Sequence, residues 1–485
     1  MTPETFRKLG HELLDRIADY RAGVASLPVM SATRPGEIRA ALPAAPPEEP
    51  EPFAEVFADL DRVILPGLTH FQHPSFFGFF PANADLASVL GDYLSTGLGA
   101  LGLTWQAAPA LTELEEVTVD WMRQAVGLSE AWSGVIQDTA STSSLVALIC
   151  ARERASDFAL GHGGLQSVPA PLTVYYSAQA HSSVEKAALL AGFGRDNLRP
   201  IGNDASNAEH PYALDAKALE TAIAADIAAG NIPCALIATV GATATTAVDP
   251  VAAMAALAAR HKLWLHVDAA MAGSAMILPE CRWMWEGVEG ADSLVFNPHK
   301  WLGVAFDASL YYVRDAQHLI RVMSTNPSFL QSNVDGEVKT FRDWGIPLGR
   351  RFRSLKLWCL LRAEGLEGLR ARLRRDIDNA RWLEAQAKAT HGWRVLAPVQ
   401  LQTVCLRHEP EGLNDGAALD AHTRAWAEAI NQSGAAYLTP ATLDGRWMAR
   451  VSIGALETEL SHVAALWAAM RKAAEGREPL PKLGS

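Results

Sequence analysis

The chain has 485 residues, 49% of them hydrophobic and 20% charged, which excludes a disordered or collagen-like protein and predicts about two to four domains. Its formal charge of −12 excludes a nucleic-acid coat and a basic membrane-surface protein. Five scattered cysteines (Cys150, Cys234, Cys281, Cys359 and Cys405) have no metal-ligand spacing, so they read as reduced core residues of a cytoplasmic protein with no metal site. Residues 1–10 carry Glu4, Arg7 and Lys8 and lack the apolar core of a signal peptide. No run of about 18 apolar residues is present to span a membrane.

The first predicted element is a helix over residues 4–22, where Phe6, Leu9, Leu13, Ile17 and Tyr20 form one apolar stripe. Five prolines in the twelve residues 41–52 make an extended connector after it. An amphipathic arm on such a tether must bury its stripe elsewhere, on the rest of the chain or on a second copy. The middle of the chain alternates strand-length apolar runs (Leu172–Tyr176, Ala235–Val240, Leu263–Val267, Ser293–Phe296 and Ser309–Val313) with helical spacing such as Val251–His261. That is the strand–helix–strand pattern of a parallel sheet covered on both faces, whose sites gather at the carboxyl ends of the strands. A long helical stretch over Leu361–Thr390, a hairpin turning at Asp444-Gly445, and a last helix bearing Leu460, Val463, Trp467 and Met470 form a smaller α+β domain. The predicted organisation is an N-terminal helical arm over residues 1–76, a large domain over 77–355 and a small C-terminal domain over 356–485.

Four features sit at predicted strand ends. Asp268 closes the apolar run Leu265-His-Val-Asp, and by itself reads equally as a cap or an ion-pair partner. Lys300, in Asn297-Pro-His-Lys-Trp-Leu, is flanked by groups that would desolvate its amine, and a desolvated amine can attack an aldehyde. Residues 139–144 carry five hydroxyls before an apolar helix, an anion cradle rather than a plain cap. His181 follows a strand and opens a helix, as a capping or core histidine would. Together they match one cofactor, pyridoxal 5′-phosphate. It needs a lysine for its aldehyde, a carboxylate at its ring nitrogen, a phosphate cradle and a flat group against its ring.

The segments His266-Val-Asp-Ala-Ala-Met-Ala-Gly, Asn297-Pro-His-Lys-Trp-Leu, Ile346-Pro-Leu-Gly-Arg-Arg-Phe-Arg and Gly102-Leu-Thr-Trp-Gln resemble the group II pyridoxal-phosphate decarboxylases, most closely the aromatic L-amino acid decarboxylases. The resemblance runs over nearly the whole chain. It implies an α/β protein of fold type I (aspartate-aminotransferase-like), with a central, mostly parallel sheet, an N-terminal helical arm and a small C-terminal α+β domain. It implies a homodimer with active sites at the interface and a small amino acid substrate. Lys300 would bind the cofactor aldehyde, Asp268 would pair with the ring nitrogen, and His181 and Ala270 would pack on opposite ring faces. Ala140, Ser141, Asn297 and His299 would hold the phosphate, with Thr243 next to the cofactor. Phe79, Phe80, Ala82, Leu101, Leu103 and Gly349 would line the substrate pocket, some of it supplied by the partner subunit.

Several positions depart from the family pattern. Ala82 stands where a hydroxyl residue is common, Leu103 replaces an aromatic and Met271 a tyrosine, and Gly349 occupies a position where serine goes with smaller or more polar substrates. These changes predict indole and phenyl substrates over catechol or imidazole. Phe329 stands where the family's loop tyrosine supplies a proton, and members that make aromatic acetaldehydes carry the same change. The expected activity is therefore decarboxylation of an aromatic L-amino acid to the aryl amine and CO2. The alternative is an aromatic aldehyde synthase.

Overall fold

The structure, a computed structural model, describes residues 1–325 and 337–476. Phe329 lies outside the described residues. The chain divides into two compact units. The larger holds Ala82–Arg375 with Ala397–Thr403, and the smaller holds residues 1–81, 376–396 and those from 404 onward. The arm expected as a separate N-terminal segment thus groups with the C-terminal part of the chain, and the larger unit extends to residue 375.

The strands in chain order are β1 (Phe76–Phe77), β2 (Ser133–Gln137), β3 (Leu172–Ser177), β4 (Leu198–Ile201), β5 (Ile232–Thr239), β6 (Trp264–Asp268), β7 (Ser293–Phe296), β8 (Ser309–Val313), β9 (Trp393–Val395), β10 (Thr403–His408), β11 (Tyr437–Leu443) and β12 (Arg446–Ser452). The larger unit is built on a seven-stranded sheet in the order β2-β8-β7-β6-β5-β3-β4. Neighbours from β7 through β6, β5 and β3 to β4 are parallel, and only β8 runs antiparallel to its neighbours β2 and β7. Every residue of β6, β7 and β8 is buried, which is why these strands read as unbroken apolar runs instead of alternating ones. Helix Ala140–Ala155 lays Val146, Ala147, Leu148 and Cys150 against Val174, Ala235, Ile237 and Val295 of the sheet. The register sets Thr239 beside Asp268 and Asp268 beside Val295, so the carboxyl ends of β5, β6 and β7 lie level.

In the smaller unit a five-stranded sheet runs β1-β11-β12-β10-β9. Its β1 pairs in parallel with Tyr437–Leu438, so a segment early in the chain completes a C-terminal sheet. The hairpin turns at Asp444 (φ 51°) and Gly445 (φ 73°), the two positive-φ positions that the Asp-Gly pair predicts. Helix Pro3–Gly23, capped by Thr2, buries none of its own residues. Helix Ser354–Ala389 begins before the predicted stretch and has a non-helical φ of 62° at Gly365. None of the five cysteines forms a disulfide among the described residues. Among the described residues no helix is long and apolar enough to cross a membrane, and no cluster of His, Cys, Asp and Glu could hold a metal ion.

Candidate active site

Asp268, Lys300 and His181 lie at or just beyond three strand ends of the larger unit. Asp268 is the last residue of β6 and is 5% exposed. Its Oδ1 accepts the Ala270 N–H at 3.1 Å. Burial raises its carboxyl pKa, opposed first by the charge of Lys300, then by that hydrogen bond and by His181. After β7 the chain enters Asn297-Pro-His-Lys, where the Lys300 backbone breaks helical geometry (φ −95°, ψ −108°) while its N–H reaches the Asn297 carbonyl at 3.0 Å. His181 caps helix Ser182–Leu190, its Nδ1 accepting the Ser183 N–H at 3.1 Å. Packing of part of its ring lowers the imidazole pKa, while the residue keeps an exposed surface; Asp268 opposes the shift and Lys300 adds to it. One carboxylate, one amine and one imidazole from three different strand ends are therefore within electrostatic reach of one another.

The residues expected to hold a phosphate divide by direction. Thr139 caps helix Ala140–Ala155, and its side chain accepts the Thr142 N–H at 3.4 Å. Ser143 and Ser144 turn inward to Ser309 and His266, each at 3.4 Å, so part of the hydroxyl run serves the core. Ala140 and Ser141 stand at the helix N-terminus, where backbone N–H groups and the helix dipole favour an anion. His299 is 4% exposed, and burial lowers its pKa to about 4, so it is neutral at pH 7. Its Nδ1 accepts the Ala308 N–H at 3.0 Å, which leaves its proton on Nε2 as a donor.

A family model described as pyridoxal-dependent decarboxylase conserved domain matches residues 35–409. The chain belongs to the pyridoxal-dependent decarboxylase family. Phenylacetaldehyde synthase of Arabidopsis thaliana is 40% identical to this decarboxylase, over 96% of this chain and 95% of that protein. Tyrosine decarboxylase 4 of Petroselinum crispum is 38% identical, over 98% and 94%. Among solved structures, Oryza sativa TDC with PLP and tryptamine superimposes with a TM-score of 0.94 at 36% identity, covering 98% of this chain and 99% of that one. The enzyme is a fold type I, pyridoxal-phosphate-dependent carboxy-lyase.

The residues present fit that cofactor. Asn297 Oδ1 and Thr239 Oγ1 are buried without a hydrogen-bond partner among the described residues, so both could accept one from a bound group. A buried carboxylate with a raised pKa at the end of β6 suits a protonated ring nitrogen, which would favour its charged form.

The remaining expected residues are placed as follows. Ala270 is half-buried, and its carbonyl accepts the Asn297 N–H at 2.9 Å, tying the end of β6 to the end of β7. Thr243 is exposed in the turn after β5. Leu101 and Leu103 lie beside Gly349, where an added Cβ would meet Leu101 at 3.4 Å and Leu103 at 4.0 Å. Phe79 is exposed, and Phe80 and Ala82 are half-buried. Two supports escaped the sequence pattern. Asp249 reads as a plain helix cap in Ala-Val-Asp-Pro. It is 3% exposed and accepts the Thr239 N–H at 2.7 Å and the Leu214 N–H at 2.9 Å. Arg350 forms a bidentate pair with fully buried Glu115 at 2.6 and 3.0 Å, and exchanges backbone hydrogen bonds with Gly102. It thereby fixes the Leu101–Leu103 segment against Gly349. Four-residue spacing between an acid and a strand could not reveal a pair 235 residues apart in sequence.

Proposed function

We propose that this decarboxylase removes CO2 from an aromatic L-amino acid. Lys300, Asp268 and His181, beyond the carboxyl ends of strands of one sheet and within electrostatic reach of one another, carry this reading, supported by relatives whose names specify tyrosine, tryptophan and aromatic L-amino acid substrates. When bound, pyridoxal phosphate supplies an electron sink next to the substrate α-carbon. Lys300 would hold the cofactor through its aldehyde. Asp268 keeps the ring nitrogen protonated. His181 and Ala270 cover the two ring faces, with Thr243 nearby. Ala140, Ser141, Asn297 and His299 bind the phosphate by N–H and neutral donors. Phe79, Phe80, Ala82, Leu101, Leu103 and Gly349 recognise the aromatic side chain. An apolar surrounding disfavours the charged carboxylate and not the neutral CO2 that leaves.

Phe329 and the 40% identity to a phenylacetaldehyde synthase favour a second product. A phenylalanine has no proton to give the α-carbon after CO2 has left. Loss of a general acid typically costs about 10²–10⁴ in its step. Dissolved oxygen can then take the electron pair, and with water the products are the aromatic acetaldehyde, ammonia, CO2 and hydrogen peroxide. The test incubates wild type and Phe329→Tyr aerobically with Trp, Phe, Tyr, DOPA and His, and quantifies CO2, amine, ammonia and peroxide. CO2 from the aromatic amino acids is expected, with Phe329→Tyr shifting the balance from aldehyde to amine. Release of CO2 from none of the aromatic substrates would overturn the substrate reading. An unchanged product ratio in Phe329→Tyr would overturn the diversion.

A homodimer is part of the proposal. Helix Leu86–Leu98 exposes Leu86, Leu90, Leu94 and Leu98, spaced by four and each 48–63% exposed, and the amphipathic helix Pro3–Gly23 leaves Phe6 exposed and Leu9, Leu13 and Ile17 only half-buried. Two such apolar faces are best covered by a second copy. Deleting residues 1–40 should give insoluble or monomeric protein by light scattering; a soluble, fully active monomer would refute it. Reduced cysteines, four of them buried, support a cytoplasmic location.

A further inference from the structure

His299 is a buried, neutral imidazole whose Nδ1 accepts the Ala308 N–H, so its proton sits on Nε2. The two residues are joined twice, because the His299 N–H also donates to the Ala308 carbonyl at 3.4 Å. The residues just before Ala308 close on the same ring. Phe306 meets the imidazole edge-on, with centroids 4.9 Å apart. The tautomer of His299 is therefore set by the peptide unit that joins Asp307 to Ala308. Without that donor, Nδ1 is free to take the proton and Nε2 becomes an acceptor, the wrong polarity for binding an anion.

That peptide is held from its other side by an ion pair. Arg353 Nε and Nη2 donate to the two carboxylate oxygens of Asp307 at 2.9 and 3.4 Å, and the two side chains are only 15% and 18% exposed. Both residues belong to the larger unit: Asp307 precedes β8, and Arg353 immediately precedes helix Ser354–Ala389. Burial raises the Asp307 carboxyl pKa, but the hydrogen bond and charge of Arg353, joined by Lys356 and Arg351, outweigh it and lower the pKa, so Asp307 is an anion at pH 7. A mostly buried ion pair is a weak source of stability, because desolvation offsets much of its attraction. Its effect here is geometric. The forked contact fixes the Asp307 side chain, and with it the direction in which the next N–H points.

We infer that Arg353 and Asp307 are positioning residues for the cofactor phosphate, acting through Ala308 to keep the proton of His299 on Nε2. This rests on the proposal that His299 binds that phosphate. The test frees the full-length protein of cofactor and titrates it with pyridoxal phosphate and with pyridoxal, which has the ring and aldehyde but no phosphate, reading the dissociation constant of each from the visible absorbance band. In Asp307→Asn, pyridoxal phosphate should bind about tenfold more weakly, the scale of one hydrogen bond to a charged group, while pyridoxal changes less than about twofold. Arg353→Gln should do the same, and the double variant should be within about twofold of the weaker single one, because the pair acts as a unit. His299→Phe removes the donor itself, so in that background Asp307→Asn should move neither constant by more than about twofold. Equal weakening of both ligands overturns the inference, because a merely structural role would loosen both alike. Unchanged binding of both ligands overturns it too, as does a selective loss that persists in full with His299→Phe. If Asp307→Asn is insoluble, Arg353→Gln, alone and combined with His299→Phe, decides. A His299→Phe protein that keeps the wild-type preference for pyridoxal phosphate over pyridoxal overturns the phosphate role of His299 itself, before the ion pair is compared.

Discussion

In the larger unit, buried charges are answered by other charges or by backbone dipoles. Asp268 has Lys300 and His181 within electrostatic reach, and Asp249 accepts two backbone N–H groups. In the smaller unit, the guanidinium of Arg450 meets a carbonyl and a ring face, with no carboxylate ion pair among the described residues, beside a phenylalanine of positive φ. In the first arrangement each charged group shifts the protonation of its neighbours. The second keeps a cation for its shape: the guanidinium is a flat, forked donor that organises hydrophobic rings. Buried ionic groups therefore serve two purposes in one chain, and the presence or absence of a carboxylate partner separates them.

Breaking the compensated set should have the largest effect. Lys300→Ala removes the amine proposed to bind the cofactor aldehyde, so turnover should fall by about 10²–10⁴-fold or more. The visible absorbance of the bound cofactor should disappear, and borohydride should no longer fix it to the protein. A Lys300→Ala protein that retains the band and borohydride trapping would remove Lys300 from its proposed role.

How far this was legible follows from how local each feature is. Asp268 ends a mostly apolar strand and Lys300 follows another by four residues, so both stand out in sequence. The Asp444-Gly445 hairpin is likewise a dipeptide signal. Strands β2 and β4 were not legible. Gly134 interrupts β2 because a Cβ there would come within 2.4 Å of Val119 and 2.6 Å of Tyr312, and Pro200 sits in the edge strand β4. The pairing of Phe76–Phe77 with Tyr437–Leu438 joins residues 361 apart, which no local pattern encodes. Arg450 hides for a related reason: an arginine in a hairpin strand looks like a solvent-facing residue until the strand is seen to be buried.

A mid-sized effect addresses the aromatic side of the comparison. Ala82 offers no hydroxyl, so a catechol would forgo a hydrogen bond there. Ala82→Thr should raise turnover of DOPA relative to Phe by an amount equivalent to about 1–3 kcal/mol, or roughly 5- to 150-fold in the ratio of kcat/KM. Wild type preferring DOPA or His about tenfold over Trp and Phe would contradict the apolar reading of this position. If Ala82→Thr leaves the ratio unchanged, residue 82 does not meet the substrate ring.

The smallest effect is on stability and isolates the compensated side. Burial raises the Asp249 carboxyl from 3.8 to about 7, despite hydrogen bonds from Thr239 and Leu214 that pull it down. A folded-state pKa above the unfolded one means the native protein holds the extra proton between those values. Stability attributable to this group is therefore greatest below about pH 4 and falls as pH rises through 7, because ionising Asp249 in the native state is costly. Asp249→Asn keeps the shape and cannot ionise, so this component of the slope should vanish, although one of the two N–H acceptors is also lost. Thermal melting from pH 5 to 8 should show wild type losing more of its melting temperature than Asp249→Asn. The excess should be a few degrees, given about 2–4 °C per kcal/mol for domains of this size. Parallel melting curves for the two proteins across that range would mean that Asp249 stays charged in the fold, with its two backbone donors sufficient to hold the anion.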